Sequence, residues 1–135
     1  MDDLNQLTER LIEALRDVPG LAAAVLFGSA AAGWLRADSD IDVALLFAHA
    51  AIPAPFDLLD LRGTLEIAVG RDVDLVVLND ASPIIAYQAL RATKPFLLRD
   101  STAYHFYAAG LVSRYEDLKR TRRPLEEALL TRRTQ

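Results

Sequence analysis

The chain contains no cysteine, which excludes disulfide staples and thiolate metal sites and makes an intracellular, cytoplasmic location the expectation. It has no apolar run near the roughly 20 residues needed to cross a bilayer, so no membrane partner is expected. The start, Met1-Asp2-Asp3-Leu4-Asn5, lacks the basic segment and apolar core of a signal peptide. Histidine is scarce: His49 and His105 have neither metal-ligand spacing nor a visible catalytic partner, and read as surface or boundary residues. A basic excess is missing too. The net charge is −4, which argues against a dedicated nucleic-acid binder. Internal repeats, low-complexity tracts and domain-dividing linkers are also absent.

What is present suits one globular unit. A length of 135 residues with 52 % hydrophobic and 25 % charged content is enough for one real core and leaves little room for a second. Residues 1–135 therefore read as a single domain, with a core to about residue 100 and a helical extension over about 101–132. The charge is uneven. Residues 114–133 hold seven basic side chains against four acidic ones, either a solvated helix end or a surface for an acidic partner.

Periodicity gives an alternating pattern. Leu4, Leu7, Leu11, Ile12 and Leu15 fall at helical spacing and are stopped by Pro19-Gly20. Leu21 to Phe27 reads as a buried strand despite three alanines. Ser39 to Phe47 is a second strand. Its alternation puts Asp40 and Asp42 on one face with Ala44 and Leu46, and Ile41, Val43, Leu45 and Phe47 on the other. Asp57 to Val69 predicts a helix capped by Gly70, and Asp72 to Leu78 a third strand. Ser82-Pro83 opens another helix to about Thr93, and Phe96 to Arg99 is a short strand. Tyr104, Tyr107, Leu111, Tyr115 and Leu118 form an aromatic-rich helical seam, read as packing or as a groove for partner helices. Pro124 can start a final short helix through Leu130. The fold class expected is α/β, a small sheet flanked by helices.

One stretch carries chemistry. Gly28-Ser29 is followed after ten residues by Asp40-Ile41-Asp42, with Gly33 in the intervening loop and Ser39 before the first acid. Lacking a Cβ, Gly28 lets backbone approach a phosphate, and Ser29 adds a hydroxyl donor. Two carboxylates two apart on a strand project in parallel and suit Mg2+, which prefers oxygen ligands shared with substrate phosphates. A third carboxylate from a neighbouring strand completes a two-ion clamp, and such chemistry needs no histidine or cysteine. Trp34 reads as a packing anchor beside this loop.

The motif Gly28-Ser29-x3-Gly33-x5-Ser39-Asp40-Ile41-Asp42 resembles the signature of the DNA polymerase beta-like nucleotidyltransferase superfamily. The short single domain is similar to its minimal nucleotidyltransferase (MNT) antitoxins, which pair with HEPN-domain RNase toxins. Gly70-Arg71-x-Val73-Asp74-Leu75-Val76-x-Leu78 and the later Lys94-Pro95-Phe96-Leu97-Leu98 extend the resemblance over most of residues 1–120. It implies a polymerase beta-like mixed sheet, Asp74 as third acid and general base, and Asp40, Asp42 and Asp74 as ligands of two Mg2+ ions. Asp72 shares the strand parity of Asp74 and competes for that role. The resemblance further implies ATP as substrate held by Gly28, Ser29 and Ser39, and AMP transfer to a tyrosine of a cognate HEPN toxin. Ala30-Ala31-Ala32 departs from the pattern, since such antitoxins often carry a basic residue before the glycine; Arg36 is the nearest substitute. Two alternatives stay open: a small-molecule nucleotidyltransferase of the antibiotic-modifying kind, and a non-catalytic antitoxin that masks its toxin.

Overall fold

The computed structural model describes residues 4–28 and 39–133, and the backbone alone at Ala92 and over 121–133. Its elements follow the alternation of apolar periods along the chain. Helix α1 (Leu4–Leu15) buries Leu7, Leu11 and Leu15 and leaves Leu4 exposed. Gly20, with φ +70°, turns the chain where a side chain would meet Ala51, and strand β1 (Leu21–Phe27) follows. Its alanines have low strand propensity, yet Ala22, Ala23 and Ala24 are all buried. Burial at the centre of the sheet outweighs propensity here.

Strand β2 (Ile41–Phe47) pairs antiparallel with β1. Helix α2 (Pro55–Val69) starts two residues earlier than its apolar period implies, because Pro55 is pre-set for a first helical turn. It ends at Gly70, whose left-handed φ of 68° lets its N–H reach the Glu66 carbonyl at 2.8 Å. Strand β3 (Val73–Val77) returns parallel to β2. Helix α3 (Pro83–Ala92) is capped by Ser82, whose Oγ accepts from Ile85 N–H at 3.3 Å. Strand β4 (Leu97–Leu98) pairs antiparallel with Ala23 and Ala24. The mixed sheet has the order β3-β2-β1-β4.

Helix α4 (Ser101–Arg133) runs unbroken for 33 residues. This corrects the short separate helix expected from Pro124. The proline removes one backbone donor, but Leu125, Glu126, Glu127, Ala128 and Leu129 are strong helix formers and carry the helix past it.

Two clusters sandwich the sheet. Ile41, Val43, Leu45 and Phe47 pack with α1 and with Leu65 and Val69 of α2. Ala44 and Leu46 pack on the other side with Ala86 and Ala89 of α3 and Tyr104 and Leu111 of α4. The alternation expected of β2 is thus the division between the two cores. The tyrosine seam packs: Tyr107 Oη donates to the Leu78 carbonyl at 2.6 Å, and Tyr115 stacks on Tyr87 with centroids 4.1 Å apart. Among the described residues no helix is long and apolar enough to cross a membrane.

Candidate active site

The acids gather where β1, β2 and β3 begin or end. Asp42 is the second residue of β2; the sheet register sets it opposite Phe27 on one side and Asp74 on the other. Asp40 stands exposed just before the strand. Asp42 is half-buried, and its carboxyl is pushed above the usual carboxylate range. Desolvation by burial is the main cause, followed by the charges of Asp74 and Asp40 and a hydrogen bond to Asp74. Every influence on Asp42 disfavours its charge. A site that concentrates negative charge in this way is chemically prepared for a cation.

Gly28 explains how tightly the site is built. It follows β1 with φ +69°, a left-handed conformation that costs other residues about 1–2 kcal/mol. A Cβ there would also run into Asp42 Oδ2. Glycine is required twice over, by its backbone angle and by the approaching carboxylate.

Asp72 and Asp74 separate by position. Asp72 is exposed and precedes β3, where its carbonyl accepts from Ile41 N–H at 2.9 Å. Asp74 lies within the strand, in register with Asp42 and acting on it. Ser39 is half-buried, and its carbonyl receives Arg71 Nη1 at 3.5 Å. Ser29, the Ala30-Ala31-Ala32 loop, Gly33, Trp34 and Arg36 lie outside the described residues. His49 and His105 are exposed; His105 Nδ1 lies 2.6 Å from the Ser101 carbonyl of its own helix. Among the described residues no three His, Asp or Glu side chains form a closed metal cage. The close unit is the Asp42–Asp74 pair, with Asp40 adding charge from the mouth.

Sequence reading overlooked Glu66. Its Oε2 accepts from Val73 N–H at 3.0 Å, fixing the start of β3 one residue before Asp74. Arg62 Nε flanks the same oxygen at 3.8 Å. The only sequence signal is an acid one turn before the Gly70 cap, too common to single out.

The description "Polymerase beta, Nucleotidyltransferase" belongs to a family model that matches residues 9–102, a span holding Gly28 and all three acids. The chain belongs to this family. It is 33 % identical over 130 residues to the protein adenylyltransferase MntA of Shewanella oneidensis, covering 90 % of this chain and 87 % of that one. A crystal structure of a toxin–antitoxin with AMP-PNP contains a chain that superposes with a TM-score of 0.81 at 29 % identity, over 91 % of this chain and 98 % of the other. A chain in the complex of tri-AMPylated Shewanella oneidensis HEPN toxin with MNT antitoxin superposes with a TM-score of 0.78 at 26 % identity, over 94 % and 98 % of the two chains. The polymerase beta-like fold expected from the motif is therefore the fold of this chain.

Proposed function

We propose that this protein is a magnesium-dependent protein adenylyltransferase that moves AMP from ATP to a tyrosine hydroxyl of a cognate HEPN-family toxin and so neutralises it. The observation that carries this reading is the Asp42–Asp74 pair in register across β2 and β3, with Asp40 at its mouth. Its context supports it, since the MntA relative bears the name of a protein adenylyltransferase.

In the reaction, the tyrosine oxygen bonds to the α-phosphorus of ATP as the bond from that phosphorus to the bridging oxygen breaks. Pyrophosphate leaves, and the phenolic proton passes to Asp74 as general base. The donor set fits Mg2+: hard carboxylate oxygens, crowded, with only charge-disfavouring influences on Asp42. Asp40, Asp42 and Asp74 would hold the metal, as two ions, which when bound supply neutralisation of the triphosphate and the developing charge. Gly28 leaves backbone room beside the phosphates, and the hydroxyls of Ser29 and Ser39 add donors. Most of the rate gain in such transfers comes from positioning and charge, which this residue set provides.

Intact-mass spectrometry of the cognate toxin after incubation with this protein, ATP and Mg2+ tests the reading. Stepwise adenylate additions that disappear with Asp40→Asn combined with Asp42→Asn are the expected result. A stable complex with no mass gain would instead mean neutralisation by masking.

A further inference from the structure

The turn between α2 and β3, residues 70–72, is tied to the acids from several directions. Glu66 grips the chain at both ends of it: its carbonyl accepts from Gly70 N–H at 2.8 Å, and its carboxylate Oε2 from Val73 N–H at 3.0 Å. Within the turn, Arg71 Nη1 donates to the Ser39 carbonyl at 3.5 Å, and the Asp72 carbonyl accepts from Ile41 N–H at 2.9 Å. Ser39 and Ile41 are the two chain neighbours of Asp40, and Val73 is the neighbour of Asp74. One turn therefore reaches the backbone beside two acids from different segments of the chain.

The left-handed Gly70 is enough to end the helix. The bond to Val73 has a separate effect. The Asp72–Ile41 bond turns the backbone groups of Asp72 toward β2, so those of Val73 point outward, past the last strand of the sheet. An outward amide at a sheet edge is ordinarily left to water. Here the half-buried carboxylate of Glu66 takes it, with Arg62 Nε 3.8 Å from the same oxygen. The buried side chain of Val73 holds β3 down on the core, but apolar burial is non-directional. A charge-assisted hydrogen bond is directional, and it fixes the rotation of the strand about its axis at the residue before Asp74. That rotation decides where the Asp74 carboxylate stands relative to Asp42, its partner in the β2–β3 register.

We propose that Glu66 is a positioning residue for the transfer reaction, aiming the Asp74 carboxylate through Val73 N–H, with Arg71 steadying Asp40 through Ser39 as the second arm of the same brace. The proposal rests on the reading of these acids as the site of adenylate transfer. What the brace needs from Glu66 is reach rather than charge. A glutamine carbonyl is of the same length and accepts the same bond, whereas an aspartate keeps the charge and falls one methylene short.

Kinetics of toxin adenylation by Glu66 variants test this. Glu66→Ala and Glu66→Asp should lower kcat about tenfold or more with KM for ATP held within about twofold, while Glu66→Gln should keep most of the wild-type kcat. A metal-free double-mutant cycle gives a readout that does not depend on activity. The rise in Tm produced by Asp42→Asn should be smaller by about 2 °C or more when Glu66→Ala is also present, because Asp74 is no longer held against Asp42. Glu66→Asp serves the same cycle if the alanine variant does not fold. Strict additivity in the cycle, an unchanged kcat in the alanine and aspartate variants, or a glutamine variant as impaired as alanine would each overturn the positioning role. A wild-type protein that adds no adenylate while the cycle stays non-additive would overturn the enzymatic reading and leave the brace standing.

Discussion

Asp42 carries the main energetic conflict of this molecule at the scale of single residues. Its carboxyl is held above its ordinary range by burial and by Asp74 and Asp40. A raised value means that the folded state holds this proton more tightly than the unfolded chain does. The stabilising contribution is then complete below the unfolded value and is lost as pH rises through the folded one. At neutral pH the ligand-free protein thus carries a penalty that Asp42→Asn removes. Differential scanning calorimetry should show a higher Tm for this variant at pH 7, a smaller gain at pH 3, and no transfer activity; an equal or lower Tm at pH 7 would contradict the repulsion. Strand parity, a local rule, is what set Asp40 and Asp42 on one face in the sequence. Parity treats Asp72 and Asp74 alike; the family resemblance favoured Asp74, and the β2–β3 register sets that residue opposite Asp42. Glu66 was invisible for a related reason: its partner, Val73 N–H, becomes a partner only once α2 hands the chain to β3.

At the scale of elements, apolar period decided what forms and neighbours decided where it stops. The stripe of α1, the cap of α3 by Ser82 and the two faces of β2 all follow from spacing. Strand β1 was readable against its alanines because an almost wholly apolar run between glycines has few other fates. Pro124 was misread because a proline rule is local, while a helix of 33 residues is set by the propensity of everything around the proline. The seam on α4 was legible as packing, and its strongest tie is the Tyr107 hydroxyl on the carbonyl that closes β3. Burial raises the Tyr107 phenol, partly offset by Arg114, so the group stays a neutral donor through the physiological range. Tyr107→Phe leaves the aromatic body and removes only this bond. Chemical denaturation should show a loss of about 1 kcal/mol with an unchanged m-value; a loss above about 3 kcal/mol would mean that the hydroxyl anchors more than one contact.

At the scale of the whole molecule, the described residues form a four-stranded sheet between two apolar layers, with Asp42 and Asp74 paired at one end and β3 as an outer strand. Fold class was readable from the order of elements alone. The outer place of β3 was not, because strand order is a tertiary fact: β3 could have been central with the same sequence pattern. Placing Asp74, exposed, on an outer strand leaves it within reach of a macromolecule without a cleft that closes around it. That arrangement suits a small protein acting on another protein's side chain.

The crowded carboxylates also make the protein a proton donor in disguise. A divalent ion bound beside Asp42 would displace the proton that this raised carboxyl holds under acidic conditions. Magnesium titration under increasingly acidic conditions should therefore release more acid, and its calorimetric heat should depend more strongly on the ionisation enthalpy of the buffer there than in alkaline solution. Apparent magnesium affinity should fall as pH drops. A heat that never depends on the buffer across the acidic range would mean that the ion binds elsewhere.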